Sequence, residues 1–370
     1  MLTFAIRRLV LSVPTLLFIA LVIFLLLNLA PNDPMAQVPL TIPPEVKQKM
    51  REALGIGEAL PLQFWKWLVA MFWTEPKVLI DWLTADSLLL GWLPDTALYQ
   101  GELRVISWQT RSPVMDIVVQ RLPQTLWVVG TAYLLAIVIA VPIGIYSAYR
   151  QYSWFDQAGT FVSMIGFSIP PFFSGVLVIV IFSVQLGWFP SIYDTTLQVT
   201  DWDSFLRQIN QMILPVMVLT LQITAQLSRF MRASMLDNLG QDYVRTARAK
   251  GLGEPNVVLV HVLRNSMIPV VTVIALGVPN IFGGAIITEQ VFKVNGLGQL
   301  LITAINGNDI PMVLTLTFIF AILIAVIGVV NGASVTGGAE GVGKATTRSV
   351  VQAISAIIVT DMIFAFVATR

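Results

Sequence analysis

The stretch GGAEGVGKATT, residues 337 to 347, has the residue types that come nearest to a nucleotide-phosphate site. A phosphate-binding loop follows the pattern G-x-x-x-x-G-K-[ST], with a strand before it, a helix after it and the last hydroxyl on Mg²⁺. Gly338, Gly343 and Lys344 match this spacing, but Ala345 occupies the hydroxyl position. An apolar run of membrane length precedes the glycines, and the tail that follows is too short for a nucleotide-binding domain. We therefore predict a glycine-rich cytoplasmic turn here and no ATP site in this chain.

Other chemistry is restricted by composition. The chain has no cysteine, which excludes disulfides, thiol catalysis and cysteine-ligated metals, and its single histidine, His261, argues against a histidine metal site. A formal net charge of +1 argues against broad nucleic-acid binding, which needs a strongly basic surface. The sequence predicts no catalytic residue, no metal site and no bound cofactor in this chain.

The composition is that of a membrane protein. Of 370 residues, 56% are hydrophobic and 12% charged, and the mean hydropathy is +0.79, which leaves too few polar side chains to cover a soluble globule. Runs of about 20 apolar residues can cross the bilayer as helices. We predict an all-α integral membrane protein with six spans, at 9–30, 123–149, 158–187, 210–231, 262–288 and 311–331. A seventh candidate, 350–368, is weaker because it contains Asp361.

The basic residues predict the orientation. Arg7 and Arg8 precede the first span, and Arg150 lies between the second and third. The connection between spans four and five carries Arg229, Arg232, Arg245, Arg248, Lys250 and Arg264. The opposite short loops hold only Arg207 and Lys293. Because short cytoplasmic loops are enriched in Lys and Arg, we predict a cytoplasmic N-terminus.

The segment 31–118 is predicted to be an extracytoplasmic loop with helices of its own. TIPPEVKQKMREALG has a short amphipathic pattern that ends at Gly55. LPLQFWKWLVAMFW then brings together Phe64, Trp65, Trp67, Phe72 and Trp73. Tryptophan favours the headgroup level of a membrane, so this aromatic segment is interpreted as an interfacial anchor. Docking of an extracytoplasmic partner stays open as the alternative.

The connection between spans four and five contains a helical run, QDYVRTARAKG, that Gly251, Gly253 and Pro255 stop. Asp242 near its start and Lys250 near its end suit the helix dipole. The residues by themselves predict a short helix parallel to the membrane. A solvated basic loop that only satisfies the charge rule is the plainer alternative.

This connection resembles the cytoplasmic loop of ABC-transporter permeases of the dipeptide and oligopeptide importer family. The matching residues are the run DYVRTARAKG, 242–251, followed by His261, Leu263, Arg264, Asn265 and Pro269. The opening IRRLVLSVPTLLFIALVIFLLLNLAPNDP, RLPQTLWV at 121 and ITEQVFKVNGLGQLLITAINGNDIPMV at 287 resemble the same family in the same order. The resemblance covers about residues 1–325. Within this range, 75–105 looks like an insertion relative to the family.

The resemblance implies a six-span ABC importer permease in a bacterial or archaeal inner membrane, with residues 1–30 as first span and 119–331 as core. The loop 237–262 is then expected to hold a coupling helix that binds a groove on a separate ATPase subunit. The implied contact residues are Asp242, Tyr243, Arg245, Thr246, Ala247, Arg248, Ala249, Lys250 and Gly251. The small residues Ala247, Ala249 and Gly251 would permit close approach, and the basic ones would make polar contacts.

The resemblance also implies the partners. These are a second homologous permease, cytoplasmic ABC ATPase subunits that carry ATP and Mg²⁺, an extracytoplasmic solute-binding protein and membrane lipid, with no nucleic acid. The conduit is expected between the spans of two permeases. The cargo is expected to be a dipeptide, an oligopeptide or a similar small solute.

Three titratable residues outside the loop are given local structural roles. Glu289 and Asp309 are predicted to lie at span ends, where water solvates them, and not to contact substrate. His261, beside Arg264 at the membrane edge, is predicted to be a hydrogen-bonding group and not a proton relay.

The tail 332–370 departs from the importer pattern. GASVTGGAEGVGKATTRSVVQAISAIIVTDMIFAF resembles the carboxyl end of phospholipid-transport ABC permeases, so such a permease is the alternative function. An ion-coupled secondary transporter, the third class considered, would show an acid near mid-membrane, and spans one to six show none.

Overall fold

The computed structural model describes residues 2–29, 43–53, 55–77, 103–282 and 285–333. The glycine-rich turn at 337–347, the candidate span 350–368 and most of the segment 75–105 lie outside the described residues. Every regular element in the described ranges is helical, which confirms the all-α fold. Twelve helices are named here: α1 (Leu2–Leu29), α2 (Pro44–Ala53), α3 (Leu60–Val69), α4 (Val114–Tyr149), α5 (Trp154–Ser168), α6 (Pro171–Gln185), α7 (Trp202–Leu239), α8 (Asp242–Ala249), α9 (Leu263–Phe282), α10 (Ile286–Phe292), α11 (Leu297–Asn306) and α12 (Ile310–Ala333).

The described helices agree with the predicted spans in most places. Helices α4 and α7 are long and apolar enough to cross a membrane, and so is the stretch Glu254–Ala275, which includes the first part of α9. The pair α5 and α6 adds a fourth crossing if it counts as one span. Helices α1 and α12, with 28 and 24 residues, exceed the length of about 20 that a span needs. The helix observed at the predicted span 210–231 is longer than that span, because α7 runs from Trp202 to Leu239.

The predicted span 158–187 is not one straight helix. Helices α5 and α6 meet at an angle of 105°. Ile169 (φ −79°, ψ 123°) and Pro170 (φ −59°, ψ 143°) both leave the helical region at the break. A residue before a proline is pushed away from the helical region, and proline has no N–H to continue the hydrogen-bond ladder. Two consecutive prolines therefore break the span where one proline, such as Pro215 within α7, is tolerated.

Close packing of α4 against α7 forms the centre of the bundle. A Cβ atom added to Gly144 would lie 2.5 Å from the Met231 Cβ and 2.8 Å from the Ser228 carbonyl oxygen. On the same face of α4, Ala132, Ala136 and Ala140 are fully buried. Membrane helices associate by close backbone approach, which small residues permit. The glycine and alanines of α4 thus fix the position of α7.

We predict that Gly144→Ala destabilises the bundle. The added methyl group cannot fit without moving α4 away from α7, and overpacking of this kind costs about 1–3 kcal/mol. The matched control is Gly159→Ala in α5, where the nearest atom to an added Cβ, the Ser147 Oγ, is at an ordinary 3.7 Å. Thermal unfolding of the purified chain in detergent should show a lower midpoint for Gly144→Ala and an unchanged midpoint for Gly159→Ala. An unchanged midpoint for both variants would contradict this packing.

The aromatic segment packs against the bundle, and Trp67 is its most buried aromatic residue. Trp67, on α3, is 7% exposed, and its indole N–H donates to the Thr315 Oγ1 at 3.0 Å. Its ring also meets the Phe318 ring edge-on at 5.3 Å. Trp65 and Trp73 are more than 60% exposed, as an interfacial anchor requires. The segment therefore packs on α12 through Trp67 while its other tryptophans face outward.

Candidate functional site

The candidate site is helix α8, which lies between the two long helices α7 and α9. Asp242 lies in its first turn and Arg248 in its last, an order that favours both charges in the helix dipole. Gly251 follows the helix with φ +78°. The Gly251 N–H donates to the Arg248 carbonyl at 2.9 Å, and the Leu252 N–H donates to the Ala247 carbonyl at 3.3 Å. This is the Schellman ending that a left-handed glycine makes, and it sets where the chain turns back.

Helix α8 has one face toward the bundle and one toward solvent. Val244 is fully buried and Ala247 is 5% exposed, three residues apart on the same face. Both join an apolar cluster that includes Val257 and Val258 in the helical stretch that leads to α9. The outward face carries the exposed Asp242, Arg245, Thr246, Arg248, Ala249 and Lys250. Thus α8 is attached through its apolar face and presents a polar, mostly basic surface.

A chain of hydrogen bonds links α8 to the helices on either side. The Tyr243 hydroxyl donates to the Asn238 Oδ1 at 2.8 Å, and the Asn238 amide donates to the Ser234 carbonyl at 2.9 Å. Ser234 in α7 then donates its hydroxyl to the Ser266 carbonyl in α9 at 2.7 Å. The Ser266 hydroxyl lies between two acceptors, the Val262 carbonyl at 2.9 Å and the Ser234 carbonyl at 3.2 Å. Both serines are buried. These bonds join α8 to α7 and α7 to α9.

A buried ion pair fixes the neighbouring loop. Both Asp156 carboxylate oxygens accept from Arg232, at 2.6 and 2.7 Å, and Asp156 also accepts from the Tyr152 N–H at 2.9 Å. Asp156 is 3% exposed. Two parallel bonds between a guanidinium and a carboxylate hold both groups in one geometry. The loop between α4 and α5 is thereby fixed to the C-terminal part of α7.

The charged side chains on the outward face differ in how strongly they are paired within the chain. Arg248 donates to Glu254 at 2.7 Å, and this hydrogen bond raises the pKa of the Arg248 guanidinium. The side chain of Arg245 is 77% exposed, and its nearest acid, Asp242, is 3.5 Å away with a side chain that is 96% exposed. Such exposed pairs contribute little to stability. Arg245 and Asp242 are therefore available to another molecule, whereas Arg248 helps to shape the end of α8.

The predicted contact residues are mostly, but not all, on the outward face. Asp242, Arg245, Thr246, Arg248, Ala249, Lys250 and Gly251 are exposed together there. Ala247 differs from its predicted role, because it packs against the chain's own core and not toward solvent. Tyr243 is partly buried and holds Asn238. His261 is partly buried in the helical stretch before α9.

The expectation that water solvates Glu289 and Asp309 is wrong. Glu289 is fully buried; it accepts from the Thr125 hydroxyl at 3.0 Å and from the Gln299 N–H at 2.8 Å. Asp309 is 1% exposed and accepts from the Ser107 hydroxyl and from the N–H groups of Trp108, Gln109 and Met312. Folding brings donors from distant segments to each acid in place of water. These bonds support the predicted structural roles.

Sequence reasoning missed Ser234, Ser266 and Asp156. Serines and an isolated aspartate have no spacing that predicts a partner, and their partners lie 32 and 76 residues away in the chain. In the ranges that the structure describes, no three His, Cys, Asp or Glu residues are grouped as a metal site would need. This geometry is able to transmit movement between the exposed face of α8 and the helices α7 and α9.

Comparison with known proteins shows where the similarity lies. Residues 140–336 match the family described as binding-protein-dependent transport system inner membrane component, and residues 1–85 match its N-terminal part. The oligopeptide transport system permease protein AppB of Bacillus subtilis is 36% identical over 330 residues, which is 88% of this chain and 94% of AppB. The glutathione transport system permease protein GsiC of Escherichia coli is 33% identical over 334 residues, which is 89% of this chain and 95% of GsiC. These relatives do not support the phospholipid alternative.

Proposed function

Because the chain belongs to the family of binding-protein-dependent transport system inner membrane components and is a permease of an ABC importer, we propose that it carries short peptides inward. Its similarity to an oligopeptide permease and to glutathione permeases supports this cargo class. Glutathione is itself a tripeptide, so the two relatives share one type of solute.

The proposed mechanism begins at α8. We assign to its outward face the contact with a cytoplasmic ATPase subunit, which would bind ATP and Mg²⁺ and carry out all hydrolysis. The observation that supports this most directly is the union of an exposed basic face with a hydrogen-bonded attachment to α7 and α9. Packed helices move between discrete arrangements, so an ATPase that moves α8 would also move both spans.

The other proposed partners follow from the same arrangement. A second, homologous permease would complete the conduit, and an extracytoplasmic binding protein would deliver the peptide. The N-terminus and α8 would lie in the cytoplasm, as the basic residues around α8 predict.

Reconstituted transport tests the proposal. The chain would be co-expressed with an ATPase, a second permease and a binding protein from the same organism, and the purified complex would be placed in vesicles. We expect uptake of radiolabelled trialanine or glutathione that requires both ATP and the binding protein. Movement of fluorescent phospholipid in place of peptide would favour the alternative function. Peptide uptake without any ATPase subunit would contradict the mechanism.

A further inference from the structure

A cavity of about 410 Å³ lies in the bundle between α4, α7 and α9. Small-solute sites in proteins commonly have volumes of this order. Its described lining is apolar apart from Tyr133 and Gln226, and none of these lining residues is charged. The Tyr133 hydroxyl donates to the Ile274 carbonyl at 2.5 Å, so its proton is already used inside the protein. Gln226 therefore supplies the amide that a molecule in the cavity could bind.

Gln226 is exposed although it lies within the apolar stretch 210–231 of α7. A polar side chain that faces hydrocarbon without a hydrogen-bond partner makes membrane insertion less favourable. The cost is on the order of several kcal/mol, as for an unpaired amide in an apolar medium. Polar residues in spans accordingly face a water-filled cavity or another protein helix. This face of α7 is therefore not a lipid-facing surface.

The neighbouring residues extend the same face. Gln222, Gln226 and Arg229 follow one another at spacings of four and three, which places them on one side of a helix. Gln226 and Arg229 are exposed and Gln222 is partly buried. The result is a polar stripe that runs from the cavity toward the end of α7 nearest to α8. Such a stripe is typical of a wall that borders water.

We infer that the cavity beside Gln226 is a transit site on the translocation path and that the Gln226 amide binds the backbone of a passing peptide. A carboxamide donates two hydrogen bonds and accepts others, which complements the N–H and C=O groups that all peptides share. The uncharged, apolar remainder of the lining accommodates varied side chains without holding a charged one. This inference rests on the proposed function and adds to it the place and chemistry of one step.

The absence of cysteine in this chain permits a direct test. Gln226→Cys and, as matched control, Val138→Cys on α4, whose side chain is 68% exposed but apolar, would each be placed in the reconstituted complex. The probe is a charged, membrane-impermeant methanethiosulfonate, and modification is read as a mass increase of this chain. Since thiolates form only where water reaches them, we expect modification of Gln226→Cys about tenfold faster or more than of Val138→Cys. Excess trialanine during turnover should slow it.

Two results would overturn the inference. One is equal, slow modification of both cysteines in a complex that transports peptide, which would place a lipid or a helix of the second permease against Gln226. The other is fast modification of Gln226→Cys that trialanine does not slow, which would show water but no peptide at this site. Either result leaves the proposed function intact, because that is tested by ATP-dependent uptake in the unsubstituted complex. Loss of uptake there would instead refute the proposed function itself.

Discussion

Replacing Gly251 by valine should reduce ATP-driven uptake by about tenfold or more while the chain still inserts into the membrane. The residue has φ +78°, a conformation that costs a β-branched residue strain, and its N–H completes the hydrogen-bonded end of α8. A valine would redirect the chain after α8 and move the outward face relative to its proposed partner. The measurement is peptide uptake and binding-protein-stimulated ATP hydrolysis in reconstituted vesicles.

The matched control is Gly240→Val at the opposite end of α8. An added Cβ meets no atom within 4 Å at either glycine, but Gly240 has φ −83°, which valine adopts without strain. A second variant, Arg245→Glu, reverses an exposed charge without altering the backbone and should also lower stimulated hydrolysis. Normal coupling in both Gly251→Val and Arg245→Glu would refute the assigned contact. Equal loss in Gly240→Val would show a general effect on the loop.

Asp309→Ala is expected to cause a large loss of stability. Its carboxylate caps the first turn of α12 through Met312 and accepts from Ser107, Trp108 and Gln109 in the segment before α4. Alanine would remove this acceptor from the buried Ser107 hydroxyl and Met312 N–H and from the partly buried bonds of the Trp108 and Gln109 N–H groups. At about 1–3 kcal/mol for each unsatisfied donor, and with some relaxation, the free energy of unfolding should fall by about 3 kcal/mol or more.

Thermal unfolding in detergent measures this effect. Asp203→Ala is the matched control, because Asp203 makes an exposed ion pair with Arg207 and its side chain is 70% exposed. Exposed pairs of this kind contribute about 0–1 kcal/mol, so the midpoint of the control should hardly change. The midpoint of Asp309→Asn, which keeps one acceptor oxygen, should lie between the midpoints of Asp309→Ala and Asp203→Ala. A midpoint for Asp309→Ala that equals that of Asp203→Ala would contradict the capping role.

The predicted helix between spans four and five was close to the observed one for local reasons. The prediction from QDYVRTARAKG placed a helix before Gly251, and α8 spans Asp242–Ala249 with Gly251 in the left-handed conformation. Glycine, helix-forming residues and end charges act within a few positions of one another, so they are readable from sequence. Which side of α8 faces the bundle was not readable, because the run ARA contains two similar alanines. Ala247 is buried and Ala249 is exposed.

The bent pair α5 and α6 is an intermediate case. The prolines responsible, Pro170 and Pro171, are visible in the sequence, and proline interrupts the hydrogen-bond ladder of a helix. The size of the bend, 105°, depends on what α5 and α6 pack against on each side of the break. In a bundle, neighbouring helices can satisfy freed carbonyls, so a proline alone does not decide between a mild kink and a break.

By itself the sequence determined that this chain is an all-helical membrane permease, and it predicted the short helix to which we assign the coupling contact. Those properties follow from apolar run lengths, charge placement and local helix signals, all of which act over short distances along the chain. Only the tertiary structure decided that Glu289 and Asp309 are buried, that Ser234 pairs with Ser266 and that Gln226 borders a cavity. Each of these depends on residues far apart in sequence meeting across helices, and in helices that are apolar on most sides no periodicity specifies which faces will meet.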